Sequence, residues 1–399
     1  MNNELGIGVI GVGGRGTLAD LAHDPAHGVR LVAGADIVPE VLTAFRTKYG
    51  ADTFITTDYR ALLARAEVQA VFVTSPDYLH EEHAVAALEA GKDVYLEKPM
   101  AITIAGCDRI LHAAYTHRRK LYLGHNMRHF AVILRMKALI DAGAIGHVHA
   151  GWCRHFISYG GDAYFKDWHA DRRTATGLLL QKGAHDIDVL HWLCGGYTRR
   201  VTAFGGLTLY DRITDRHAPG ERGDASWSAA NWPPLSQRQL NPVIDVEDLS
   251  MMLMELDNGV FASYQQCHYT PDAWRNYTII GSTGRLENFG DDPGNSVVRV
   301  WNQRHGYCPE GDAQYPIAEV AGTHGGADPH IVDEFIRYVR YNGAISTSAI
   351  AARNSVAAGC QATRSLREGG VPQEIPPVPA DVLAYFSPKE QESAAAPVE

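Results

Sequence analysis

Residues 5–16 read Leu-Gly-Ile-Gly-Val-Ile-Gly-Val-Gly-Gly-Arg-Gly, an apolar β-rich run that passes straight into Gly11-Val12-Gly13-Gly14-Arg15-Gly16. A helical pattern follows from Thr17 to about His23. G-x-G-x-x-G between a strand and a helix is the context in which the pattern signifies dinucleotide binding. Gly11 permits a tight turn, Gly13 lets backbone approach a pyrophosphate, and Gly16 lets helix and strand pack closely. The helix N-terminus offers N–H groups and partial positive charge to phosphates. Gly14 and Arg15 lie in the same loop and join it as cofactor-binding candidates. The next strand pattern, 29–35, ends on Asp36, twenty residues after Gly16. A carboxylate there suits the ribose hydroxyls of NAD and repels the 2′-phosphate of NADP. Ile37 supplies no compensating cation, so NAD is the expected cofactor.

The alternation continues. Helical patterns at 39–49, 59–66, 81–90 and 103–117 interleave with strand patterns at 53–57, 68–74, 94–96 and 120–124. This order predicts a parallel, doubly wound sheet. Ligands of such sheets bind outside the carboxyl ends of the strands. The strand at 68–74 runs into Thr74-Ser75-Pro76-Asp77-Tyr78-Leu79-His80, so Thr74, Ser75, Pro76 and His80 are cofactor-binding candidates. The strand at 94–96 stops on Glu97-Lys98-Pro99. Proline has no N–H for a ladder, so the chain turns there. Glu97 and Lys98 are left at the ligand edge. Asn126 and Arg128 follow the last strand and precede a helix at 131–142.

From about residue 147 the texture changes. Alternation at 147–159, 199–210, 249–256, 260–268 and 276–281 reads as antiparallel strands, with Asp257-Asn258-Gly259 as a hairpin turn. One strong helix, 177–194, stops at Gly195-Gly196. The stretch 211–248 is long, polar and rich in proline and tryptophan, and reads as an insertion that covers substrate or contacts another subunit. Helices at 329–342 and 346–368 follow, and the tail from 391 reads as disordered. The expected fold class is α/β. It has an N-terminal doubly wound parallel sheet of the Rossmann type over 1–125, for NAD. A C-terminal α+β domain over 126–385 carries a large open, mainly antiparallel sheet for substrate binding and oligomerisation. A flexible tail is expected over 386–399.

The 399 residues exceed one small core, which supports two domains. A net charge of −10 argues against nucleic acid, because no basic stripe could offset phosphate repulsion. The six cysteines are scattered without a CxxC pair. That spacing suggests reduced thiols and a cytoplasmic location, with neither a disulfide framework nor a zinc site. The first residues, MNNELGIGVIGVGG, lack a basic region and read as a first strand, not a signal peptide. No apolar run reaches the roughly 18 residues of a membrane span, so no membrane partner is expected.

The order of the glycine loop, Asp36, the 74–80 turn, Glu97-Lys98-Pro99, Asn126 and Arg128, then Gly183-Ala184-His185-Asp186-Ile187-Asp188 resembles the Gfo/Idh/MocA oxidoreductases. That family includes glucose–fructose oxidoreductase and inositol dehydrogenase. The likeness spans roughly residues 5–370. It implies a Rossmann domain, a C-terminal domain with an open sheet, and a dimer or tetramer built on that sheet's exposed face. It also implies that Lys98 and His185 hold the sugar hydroxyl being oxidised. Many members carry an aspartate four residues before the histidine; here the position is Gln181, which can hydrogen-bond but cannot take a proton.

Moving a hydride from a carbinol carbon to nicotinamide requires the hydroxyl proton to leave, and a base near neutrality does this best. Histidine is near that range already, and burial can bring lysine to it. With Gln181 unable to serve, Lys98 or His185 takes the proton, or Tyr159, Tyr164, Asp167 or His169 reaches in to do so. Asn126, Arg128, Tyr159, Tyr164, His169, Arg172, Gln181 and Asp188 are accordingly the substrate-binding candidates. His185, Asp186, Asp188 and His191 share helix faces like a metal helix, but no second set of ligands accompanies them, and no metal is expected. Three functions fit. The first is an NAD(H)-dependent sugar or polyol dehydrogenase. The second is a glycoside hydrolase that oxidises its sugar transiently, with Arg172 and Arg173 suited to a sulfonated or carboxylated one. The third is a non-catalytic NAD sensor, against which an intact Lys98 and His185 argue.

Overall fold

The computed structural model describes residues 4–221, 223–320 and 324–391. The chain forms two compact units. One takes residues up to 129, 324–353 and 377–391; the other takes 130–320 and 354–376, apart from residue 222.

The first unit holds six strands: β1 (Leu5–Ile10), β2 (Val29–Ala35), β3 (Phe54–Thr56), β4 (Ala70–Val73), β5 (Asp93–Leu96) and β6 (Leu121–Leu123). They form one sheet in the order β3-β2-β1-β4-β5-β6, with every neighbouring pair parallel. Every residue of β1 and β4 is buried, as expected of strands covered on both faces. Thr103 starts the helix Ile104–His117 by accepting from the Gly106 amide at 2.9 Å, an N-cap interaction. The helix expected from Thr17 is a 3-10 helix, Gly14–Ala22. Its opening bond, Gly16 N to Gly13 O at 2.8 Å, is the tighter i→i+3 kind.

The second unit holds β7 (Val148–Phe156), β8 (Thr198–Gly206), β9 (Leu249–Leu256), β10 (Phe261–Cys267), β11 (Trp274–Gly281), β12 (Arg285–Phe289), β13 (Val297–Trp301), β14 (Ala313–Pro316) and β15 (Gln373–Glu374). Their order is β14-β13-β12-β11-β7-β10-β9-β8-β15. The sheet is mostly antiparallel, but β7 runs parallel to β10. The expected helix 177–194 comes in two pieces, Leu178–Gln181 and Gly183–Cys194, joined through Lys182, whose backbone is itself helical. Side chains of 181 and 182 therefore each stand about one turn before that of 185. The stretch 211–248 packs Tyr210, Ile213, Leu240 and Val246 on Ile157, Phe165 and Leu178 as a small separate core. It leaves Trp227 and Trp232 exposed.

The expected run of 126–385 as one domain is corrected by the helix Ala327–Tyr341, which packs within the first unit. Phe335 meets Phe72, Tyr95 and Tyr122 with ring centroids 5.2, 5.6 and 5.9 Å apart. An apolar stripe of Ile331, Val332, Phe335 and Tyr338 is what an exposed aromatic sheet face needs as cover. The expected flexible tail, 386–399, begins inside a helix, Ala380–Gln391; the rest of it lies outside the described residues. No helix among the described residues is long and apolar enough to cross a membrane.

Candidate active site

In the first unit, the carboxyl ends of β1, β2, β4, β5 and β6 deliver the glycine loop, Asp36, Thr74–Pro76, Glu97–Lys98 and Asn126–Arg128. Gly11 and Gly14 have φ of +88° and +50°, which side chains rarely tolerate. A Cβ on Gly16 would stand 2.1 Å from the Gly11 carbonyl, whereas one on Gly14 would meet nothing within 4 Å. The loop is thus closed on its inner side and open where a pyrophosphate would lie. The Asp36 carboxylate accepts from Gly13 N at 3.2 Å and Val38 N at 3.0 Å. That fixes it beside the loop, with lone pairs left for two hydroxyls. These residues fit NAD.

Three of the expected cofactor contacts also tie the loops together. The Arg15 guanidinium donates to both Asp328 oxygens at 2.9 Å and to Glu97 at 3.2 Å, tying the glycine loop to Glu97. His80 has its ring nitrogens 2.7 Å from Pro99 O and 2.8 Å from Ser75 O, so it joins the two ligand-edge turns. Thr74 donates to Gly11 O at 2.8 Å and Ile10 O at 3.2 Å. Arg128 donates to Ser346 O at 2.6 Å, which holds its turn. Lys98, half-buried, precedes Pro99 through a cis peptide, and Asn126 is buried.

In the second unit, Gln181, Lys182, His185 and Asp188 are all buried. Behind this helix lies a network that sequence reasoning missed. Asp186, fully buried, accepts from Tyr277 at 2.5 Å and Tyr264 at 3.0 Å, and pairs with Arg275 at 2.9 Å and His155 at 3.0 Å. Burial works to raise the Asp186 carboxyl, but Arg275, His155 and the Tyr277 hydrogen bond together outweigh it and hold it well below the usual carboxylate range. Burial pushes His155 down to about 3, so at neutral pH it is a neutral donor to Asp186. The partners come from β7, β10 and β11, and no local pattern near 186 announces them.

The remaining candidates divide. Tyr159 and Tyr164 flank Lys182, whose Nζ stands 5.3 and 5.5 Å from their ring centres. His169 stacks on Trp168 at 3.7 Å and has Nδ1 2.6 Å from Asp167. Arg172 pairs with Asp245 at 3.0 Å, and Arg173 with Asp171 at 2.5 Å. Those two arginines, expected for an anionic sugar, have carboxylates as partners already. Lys182 was not singled out in the sequence, although its place between Gln181 and His185 was a signal that could have found it.

Two protein-family models match the chain. Residues 5–125 match the NAD-binding Rossmann fold of an oxidoreductase family, and residues 137–375 match that family's C-terminal alpha/beta domain. The chain belongs to the Gfo/Idh/MocA oxidoreductase family. Among Gfo/Idh/MocA relatives, the inositol 2-dehydrogenase of Burkholderia ambifaria is 38% identical over 224 residues, 55% of this chain and 61% of that enzyme. The chain thus aligns with about three-fifths of that enzyme's length. The fold is similar to a levoglucosan dehydrogenase solved with NADH and levoglucosan, with TM-score 0.73 and 20% identity over 94% of this chain and 99% of that one. It is similar also to an NAD binding oxidoreductase from Klebsiella pneumoniae, with TM-score 0.75 and 19% identity over 94% and 100%.

Two expected results arise here. Asp36→Ala should narrow the preference for NAD over NADP, read by calorimetry with both nucleotides; equal affinities in the unaltered protein would sink the role of Asp36. The second concerns pH. His155 and His83, the latter pushed by burial to about 4, stay neutral in the fold, whereas the unfolded chain protonates near 6.5. The unfolded state takes the proton first, so stability is full above about 6.5 and falls as pH drops toward the folded values. At pH 5 His155 alone accounts for about 2 kcal/mol. Calorimetric Tm should fall steadily from pH 7 to pH 5, and a flat profile contradicts the neutral-histidine assignment.

Proposed function

We propose that this protein is an NAD(H)-dependent oxidoreductase acting on a carbinol carbon of a sugar, polyol or sugar derivative. The observation that carries the reading is Lys98 at the carboxyl end of β5, one strand from β4 and two from β1 and its glycine loop, in a family whose relatives include inositol 2-dehydrogenase. Bound NAD supplies the hydride acceptor. Lys98 and His185 are the residues assigned to the reacting hydroxyl, and Gln181 orients without taking a proton. A second reading is a redox-neutral glycoside hydrolase, favoured by Gln181 in the place of an acid beside Tyr159, Tyr164 and Lys182. The two differ in their cofactor balance. Free sugars, inositols and p-nitrophenyl glycosides, including a sulfoquinovoside, are offered with NAD while NADH and nitrophenol are followed together. NADH in proportion to product supports the dehydrogenase. Nitrophenol without net NADH, with solvent deuterium on the sugar ring, supports the glycosidase.

We further propose a homo-oligomer. Phe204 on β8, Met251 and Leu253 on β9 and Phe261 on β10 are 64, 50, 62 and 65% exposed. The register Phe204↔Met251 and Ser263↔Leu253 puts them on one sheet face. Contiguous apolar surface of this kind marks an association site. Light scattering at micromolar concentration should give a dimer or tetramer, and Leu253→Asp should weaken it. A monomeric unaltered protein refutes the assignment.

A further inference from the structure

We propose that Tyr159, held against Lys182, is the catalytic acid–base group of this protein and takes the place of the carboxylate absent at Gln181. The inference rests on the oxidoreductase reading of the preceding subsection. Lys182 stands one helical turn before His185, on the face they share. Its ammonium is buried between the Tyr159 and Tyr164 rings. A buried ammonium needs a counter-charge or polar partners, and the two phenol rings stand against it. Tyr164 is buried whereas Tyr159 is partly open, so Tyr159 is the member that a substrate hydroxyl can reach.

The backbone fixes that position. Tyr159 is followed by Gly160 and Gly161, and a Cβ on Gly160 would stand 2.1 Å from the His268 carbonyl. Only a residue without a side chain lets the turn close there. Electrostatics agrees with the geometry. Burial pushes the Tyr159 phenol up, but Lys182 and then Arg275 outweigh it and bring it below its usual value. Tyr164 moves the other way, because burial dominates. Burial works to lower Lys182, but Tyr159 and Tyr164 outweigh it and keep it protonated. The remaining titratable groups around the pair are Arg275 and Asp186, paired with each other, His155, the fully buried His268, and His169 against Tyr164 at 5.3 Å.

The step balances. The carbinol C–H leaves as hydride to the nicotinamide, the O–H proton moves to the Tyr159 phenolate, and the C–O bond becomes a carbonyl. Lys182 stays an ammonium throughout. In reduction, the phenol returns its proton to the forming alkoxide. The partly open Tyr159 exchanges that proton with solvent.

Two readouts test the pair. The first is ultraviolet difference titration of the protein without substrate. One tyrosine should ionise ahead of the others. Tyr159→Phe should abolish that early step, Lys182→Met should move it to higher pH, and Lys182→Arg should retain it. The early step persisting in Tyr159→Phe overturns the proposal. The second is the pH profile of NADH formation on the panel of sugars and inositols. Tyr159→Phe should lose about a hundredfold in kcat with KM little changed, and Lys182→Met should shift the rising limb upward while Lys182→Arg restores it. A Tyr159→Phe variant with unaltered kcat overturns the proposal too. Tm measurements separate unfolding from chemistry. An unaltered protein that turns over no substrate fails the functional reading, while the titration still decides whether the pair exists.

Discussion

Lys98→Ala should lower turnover at least about a hundredfold, and His185→Ala should do the same, the loss typical of releasing a reacting hydroxyl from its required position. The reason lies in how firmly Lys98 is delivered. Glu97 is fixed by Arg15 and by the Tyr95 hydroxyl at 3.3 Å. Pro99 is fixed by His80. Lys98 sits between two held neighbours on a buried strand end, so little movement is available for another residue to substitute. Lys98→Ala removes the ammonium but leaves the glycine loop and Asp36 untouched, and NAD affinity by calorimetry should change far less than kcat. Lys98→Arg should not restore the rate, because a guanidinium is larger and does not give up its proton. Near-wild-type turnover in both alanine variants would mean that the chemistry is elsewhere.

The second large effect is on stability. Arg275→Met should destabilise the second unit by roughly 3–5 kcal/mol, because it leaves the fully buried Asp186 charge without its cation. Tyr264, Tyr277 and His155 would still donate to it, which sets the loss below that of an isolated ion. The paired variant Asp186→Asn/Arg275→Met should recover much of the loss, since neither charge is then stranded. Urea midpoints measure both, and an Arg275→Met midpoint equal to that of the unaltered protein would show that Asp186 needs no cation.

The first unit was largely legible because its signals are local. The glycine loop, Asp36 at the end of β2 and the stop at Glu97-Lys98-Pro99 are each written within a few consecutive residues. Asp257-Asn258-Gly259 likewise announces the β9–β10 hairpin, with Gly259 at φ +83°. What escaped was non-local. Strands β12 to β14 are only four or five residues long, and β12 carries three polar residues in five, Arg285, Glu287 and Asn288. The parallel pairing of β7 with β10 joins residues more than a hundred apart. Arg275 reaches Asp186 from strand β11, and Asp328 reaches Arg15 from across the chain. The partners of Arg15 and His80 escaped for the same reason: each is read as a ligand contact from its motif, and each is also held by atoms beyond that motif.

The return of the chain to its first unit has a consequence for how the protein is made. The parallel sheet is complete at Leu123, but the helix that covers its aromatic face begins at Ala327, about 200 residues later. At ribosomal speeds of roughly 5–20 residues per second, that interval lasts on the order of 10–40 s. Throughout it Phe72, Tyr95 and Tyr122 wait without Phe335. The nascent nucleotide-binding half is therefore a client for chaperones that shield apolar surface. A fragment ending near residue 125 would carry the same bare face and collect in inclusion bodies.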